Sequence, residues 1–258
     1  MPKSLRSLDD HIQDTLDARR RTQSGRFQPV DPGTERVADV VASSCAAVAG
    51  AFSGMGFRWS RSGLRFSRKV GPFTHIVSFQ ADSANSSGSH VGVAMHARTR
   101  CIELAKWRET NGVTTGDHLW GTQIGYLSPE HEYLKWQLVD PAKRQAEIDS
   151  MVKTVHELAI PAFEVCQTKE SLSARLLERP EMTWIPDWAV DIALWLGNKA
   201  AAEALVLKKL QFPPNLEAQF IEYYRIEAST PSLSRPNDRN HCLAWVAQKH
   251  GLRLPGLV

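Results

Sequence analysis

The sequence predicts an α+β protein in which a helix packs on an antiparallel β-sheet and a C-terminal helical bundle follows. Three observations carry this expectation. Apolar residues recur at helical spacing from Val37 to Phe52, alternate strictly with polar ones from Phe57 onward, and return to helical spacing after Pro141. The chain divides accordingly into an N-terminal helix and linker (1–33), a sheet-containing region (34–158) and a helical region docked on it (159–258).

The first zone carries one apolar stripe, Leu5, Leu8, Ile12 and Leu16, then Arg19-Arg20-Arg21 and a connector containing Gly and Pro. The next helix opens at Thr34, places Val37, Val40, Val41, Ser44, Val48 and Phe52 on one stripe, and is stopped by Gly54 and Gly56. Period two then begins. Phe57 and Trp59 alternate with Arg58 and Ser60, and after Ser62-Gly63 the residues Leu64 and Phe66 alternate with Arg65 and Ser67, which describes a hairpin with one apolar face. Gly71-Pro72 turns the chain into a third strand at 74–80, and a loop of small polar residues leads to a fourth at 90–97. Consecutive strands joined by short loops imply an antiparallel sheet with one face on a helix and the other in water.

The apolar segments at 119–127 and 133–140 extend the sheet, while residues 101–109 fit an edge strand or a short helix equally well. From Asp140-Pro141 a helix carries Ile148, Met151, Val152, Val155 and Leu158 and ends before Pro161. Segments at 168–178, 186–197, 198–210, 216–228 and 238–251 read as further helices. The Gly197-Asn198 break suggests an αα-hairpin in which Trp188, Ile192 and Trp195 are partly buried.

Composition excludes several classes. Hydrophobic residues make up 42% and charged ones 23%, which is ordinary globular usage, and a net charge of +3 over 258 residues does not by itself imply a nucleic-acid or membrane partner. Cys45, Cys101, Cys166 and Cys242 lie far apart without a C-x-x-C pair, so they read as reduced core residues. No apolar run approaches the roughly 20 residues that span a bilayer, and the N-terminus has no signal-like apolar region, so a cytoplasmic location is expected, with export by a signal-less route as the alternative.

Motifs for chemistry are lacking. The run Gly50-Ala51-Phe52-Ser53-Gly54 has neither the spacing nor the strand-to-helix setting of a nucleophile elbow, and there is no P-loop or G-x-G-x-x-G. His90 and His96 share a face of strand four, but no carboxylate stands at ligand spacing, so neither a metal nor a cofactor is expected. His75, in phase with Phe73, Val77 and Phe79, should point to the apolar face and find its partner there. Asp187 and Asp191, four apart, read as the solvated side of an amphipathic helix.

The densest charge is at 56–71, where Arg58, Arg61, Arg65, Arg68 and Lys69 occur with no acidic residue among them. Arg58 and Arg65 should share the polar face of the hairpin. Alternation sends the neighbouring aromatic rings to the buried face, so arginine is left without the exposed stacking platforms that single-stranded nucleic acid uses. This basic stripe can dock an acidic patch of a protein partner, bind nucleic acid or be a solvated face; read as a partner-binding surface, it comprises Arg58, Arg61, Arg65, Arg68, His90 and His96.

The Gly56-Phe57 start, the Phe66-Ser67-Arg68 second strand and the IVSFQ segment at 76–80, with Trp107-Arg108 and the IPAFE segment at 160–164, give the chain a family likeness. Over roughly residues 37–210 it resembles a family of uncharacterised bacterial α+β domains similar to polymorphic-toxin immunity and defence-associated proteins. That resemblance implies a protein-binding module that blocks a cognate toxin domain and performs no catalysis. It brings no catalytic residues. Nucleic-acid binding through the arginine hairpin, or an unrecognised hydrolase, are the alternatives.

Overall fold

The computed structural model describes residues 35–113, 116–178, 189–211 and 215–255. The stripe at Leu5–Leu16, Thr34, Asp187 and Trp188 lie outside the described residues. Within them the chain is α+β, with a six-stranded antiparallel sheet and predominantly helical structure after residue 141.

Helix α1 (Val37–Ala51) buries Val40, Val41, Ser44, Cys45, Val48 and Ala49, the i, i+1, i+4, i+5 spacing of a single helical face. A short 3₁₀ turn (Ser53–Met55) ends at Gly56, whose φ of 82° is the left-handed conformation that glycine adopts without a Cβ penalty. The chain then enters β1 (Arg58–Ser60), β2 (Arg65–Val70), β3 (Phe73–Ala81) and β4 (Gly92–Cys101), each antiparallel to the one before. Strand β4 is thus two residues shorter at its start than the alternation implied, and four longer at its end.

The ambiguous segment after β4 is a helix, α2 (Ile102–Thr110), which buries Leu104 and Arg108, one turn apart. Strand β5 (His118–Gln123) pairs with the second half of β4, and β6 (Trp136–Gln137) pairs with its start, so both share the edge that β3 leaves open. The segment at 124–127 is a 3₁₀ turn instead of more strand. Gly125 sits there against the backbone carbonyl of Glu132, and a Cβ on it would also lie 2.6 Å from Leu134 Cγ. Gly125→Ala should therefore cost about 1–3 kcal/mol in urea unfolding, because its chief obstacle is backbone that cannot rotate away.

Helix α3 (Pro141–Thr154) is capped by Asp140, whose carboxylate accepts the Ala142 N–H at 2.9 Å. It does not end before Pro161. A π turn (Val155–Ala159) joins it to α4 (Ile160–Glu164), with the Ile160 N–H donating to the Val155 carbonyl, five residues back. Pro161 has no N–H to donate and its ring crowds the preceding turn, and the wider turn lets the helix run through the proline.

These helices cover the apolar face of the sheet. Phe52 stacks on Phe66 at 5.4 Å, and Phe163 meets Phe57, His75 and Trp120 at 6.2, 4.7 and 5.6 Å between ring centroids. Helices α5 (Lys169–Glu178), α6 (Ala189–Trp195), α7 (Lys199–Leu210), α8 (Leu216–Ser229) and α9 (Arg239–Lys249) follow. Asn198 caps α7 by accepting the Ala201 N–H, and α6 packs against α7 with Ile192 buried and Trp195 half-buried against Phe73. The buried side chains of the sheet and of the helical region form one continuous hydrophobic cluster.

Candidate functional site

The other face of the sheet is open, and its register puts cationic side chains in rows. Residues paired across antiparallel strands project from the same side, as do residues two apart. One row runs Ser60, Arg65, Ser78, His96; the next runs Arg58, Ser67, Ile76, Arg98, Gly121; a third runs Lys69, Thr74, Arg100, His118. His118 joins this side through a register shift between Thr99 and Arg100, which leaves both Leu119 and Trp120 buried and turns His118 outward.

Only part of this charge is neutralised. Arg100 grips Asp117 through Nη2 and Nε at 2.5 and 2.6 Å, which holds the Asp117 carboxyl below its ordinary range. Arg58, Arg65, Lys69 and Arg98 have no acidic partner among the described residues. Arg98 stands between β3 and β5, where burial and then the charges of Arg100 and Arg65 disfavour its protonated form, with Asp117 opposing. Burial, then Arg98, lowers the pKa of the adjacent His96. Arg98 Nε and His96 Nε2 are sealed from solvent without a hydrogen-bond partner among the described residues. Beside them lies a cleft of about 440 Å³ lined by Ser78, Gln80, His96, Arg98, His118 and Gly121.

The expected surface is thus split by the structure. Arg58, Arg65 and His96 share the open face. Arg61, in the turn after β1, approaches Asp39 of α1 at 3.8 Å. Arg68 pairs across the sheet with His75 and so lies on the helix-covered side, with its guanidinium 4.8 Å from the Phe57 ring and Nε donating to His75 Nδ1 at 3.2 Å. His90 precedes β4, where its Nε2 donates to Asp82 at 3.1 Å beside Lys135, which binds the same carboxylate oxygen at 2.5 Å. Sequence reasoning missed Arg98, Arg100 and His118. The alternation His96, Arg98, Arg100 was available as a signal, had the fourth strand been carried past residue 97; the bulge that reorients His118 had none.

His75 is satisfied on the apolar face, as its phase required. Its Nε2 donates to the Cys166 carbonyl at 2.9 Å while Nδ1 accepts from Arg68, a pattern that needs the neutral ring, and burial drives its pKa down to about 4. Asp191, by contrast, is not on a solvated face. It is 2% exposed, with one oxygen 3.8 Å from Arg108 Nε and 3.6 Å from Arg235 Nη1, and burial pushes its carboxyl up against the pull of both arginines. Helical phase alone could not reveal this, because the arginines that turn the aspartate inward come from residues 83 positions before it and 44 after it.

Two further constellations resemble chemistry but lack its geometry. Glu227 accepts Ser232 Oγ at 2.5 Å and His241 Nε2 at 2.6 Å on the same oxygen, Oε1. The histidine does not stand between serine and carboxylate, as base catalysis on a serine demands, so the cluster ties the 230–238 segment to α8 and α9. Burial pushes the Cys45 and Cys166 thiols up to about 12, far from the thiolate that a nucleophile needs. Among the described residues no group of His, Cys, Asp and Glu is gathered to hold a metal ion, and no helix is long and apolar enough to cross a membrane.

Comparison with protein-family models, with curated proteins and with solved structures finds no match to this chain. The family likeness rests on the sequence motifs alone.

Proposed function

We propose that this chain is a protein-binding module whose open sheet face docks an acidic surface of its partner. The observation that carries the proposal is the charge of Arg58, Arg65, Lys69 and Arg98, without an ion-pair partner among the described residues, on one solvent-facing side of the sheet. Held on strands, these side chains are spaced by the ladder, so they steer and orient an acidic partner as well as attract it. The resemblance to immunity proteins makes a bacterial toxin domain with an acidic docking surface the partner class, and a strongly cationic nuclease the wrong one.

Protein is favoured over nucleic acid because the rows of cationic residues carry no exposed Phe, Tyr or Trp ring for bases to stack on, His118 being the one exposed ring among them. The exposed tyrosines, Tyr126 and Tyr133, lie instead in the connection between β5 and β6, where their rings meet at 6.3 Å. They are aromatic anchors of the type that supply affinity at protein interfaces.

Fluorescence anisotropy with a labelled Asp/Glu-rich peptide and a single-stranded oligonucleotide of equal charge tests this reading. The wild type should prefer the peptide. Replacing Arg58 and Arg65 together by glutamate should weaken peptide binding about 10-fold at low salt and much less at about 0.5 M salt. Tighter binding of the oligonucleotide, lost in the same double variant, would replace the protein partner with nucleic acid. Peptide binding untouched by the double reversal would remove the open face from the function.

A further inference from the structure

Resting on the protein-binding reading, we propose that the cleft at His96 and Arg98 is an anchor pocket that seats one acidic side chain of the partner, its carboxylate on the Arg98 guanidinium. The cleft is built on three adjoining strands, with Ser78 and Gln80 on β3, His96 and Arg98 on β4, and Gly121 and His118 on the edge strand β5. Its volume of about 440 Å³ leaves room for the stem of a side chain as well as its carboxylate.

Each part of the cleft lacks a partner that an acid would supply. Arg98 is flanked by cations and makes no ion pair among the described residues, so an anion there relieves repulsion from Arg65 and Arg100 together. The guanidinium fork presents parallel N–H groups that match the two oxygens of a carboxylate. The side chains of Ser78 and Gln80 make no hydrogen bond among the described residues and stand ready as neutral donors. Gly121 completes the shape. A Cβ at that position would stand 3.0 Å from Arg98 Cβ, so any larger residue would press on the arginine and close the cleft from the β5 side.

The sealed Arg98 Nε and His96 Nε2 fit the same picture. A buried Arg98 Nε–H without an acceptor is costly, and a carboxylate drawn into the cleft offers one after a small rotation of the side chain, and a second to His96 Nε2 in the tautomer that carries its proton there.

Histidine ring and amide resonances of the full chain, titrated at constant ionic strength, test the pocket. The probes are N-acetyl-glutamate amide, its glutamine counterpart and inorganic phosphate. Saturable shifts at the His96 ring and the Gly121 amide are expected with the glutamate probe and not with glutamine. Arg98→Gln should weaken the response about 10-fold or more. Ser78→Asp, which installs a carboxylate in the cleft, should abolish the response while raising the His96 titration midpoint. Shifts that spread over the surface, an equal response to glutamine, or a response to phosphate with none to glutamate would each overturn the pocket. A pocket that fails while Arg58→Glu/Arg65→Glu still weakens peptide binding leaves the docking face standing without its anchor. The reverse pair of results removes the docking face and keeps the cleft.

Discussion

Asp191→Ala should destabilise the chain by about 3 kcal/mol, read as a lower urea midpoint with an unchanged slope. Arg108 is 2% exposed, and Asp191 is the carboxylate that faces it. Removing that carboxylate leaves a guanidinium charge in the core, where desolvation already disfavours it. The loss falls at the low end of what breaking a buried pair costs, since Arg108 Nη1 keeps the carbonyls of Gly116 and His118 at 3.2 and 2.8 Å. The double variant Asp191→Ala/Arg108→Met should recover much of the loss, because the pair is repaid poorly for its own burial. The cluster also does architectural work: Arg108 comes from α2, Asp191 from α6 and Arg235 from the segment before α9, so it marks where the helical region seats on the sheet region. An unchanged midpoint in Asp191→Ala would mean that carbonyls alone satisfy Arg108.

The second large effect is a loss of stability as pH falls from about 6.5 to 4. His75 is neutral in the fold, with its pKa driven from 6.5 down to about 4 by burial, then opposed by the Cys166 carbonyl and reinforced by Arg68. In the unfolded chain it titrates normally. Between those values the unfolded state binds the extra proton, so stability rises with pH across the window and is lost as pH falls through it. The full shift corresponds to roughly 3 kcal/mol by pH 4. Asp82 and Asp117, whose carboxyls are held low by Lys135 and Arg100, add their own loss only as pH drops below the ordinary carboxylate range. His75→Gln keeps a donor for the Cys166 carbonyl and removes the proton site. Its urea midpoint should therefore fall less steeply than the wild type's between pH 6.5 and 4.5. Parallel slopes would show that His75 is not the group that titrates.

Periodicity made most of the fold legible, because strands and helices each repeat a short pattern. The parity of Phe57, Phe66 and Val77 placed the apolar face of the sheet, and the same parity placed His75 within it and Arg58 and Arg65 opposite. What parity could not convey was register slippage and long-range partnership. Arg68 belongs by charge with the exposed arginines but by phase with Phe66, and the structure turns it onto Phe57 and His75. The bulge beside Thr99 overrides alternation for His118, and Pro161 continues a helix through a π turn that no local spacing announces. The cleft was illegible for a related reason: it gathers residues from β3, β4 and β5, whose alignment depends on the register between segments as far apart as Ser78 and His96, and Arg98 and Gly121.

The most direct test of the docking face is zero-length carbodiimide coupling of an Asp/Glu-rich peptide to the full chain, with the joined lysines located by mass spectrometry. Coupling requires a carboxylate in contact with an amine, so it reports where the acidic partner lies. Lys69 is exposed on the open face, while Lys143 and Lys153 are exposed on α3 with side chains 79% and 73% accessible. An acidic partner docked on the open face predicts coupling concentrated at Lys69 and suppressed by Arg58→Glu/Arg65→Glu. Coupling spread evenly over Lys69, Lys143 and Lys153, and indifferent to the double variant, would contradict it.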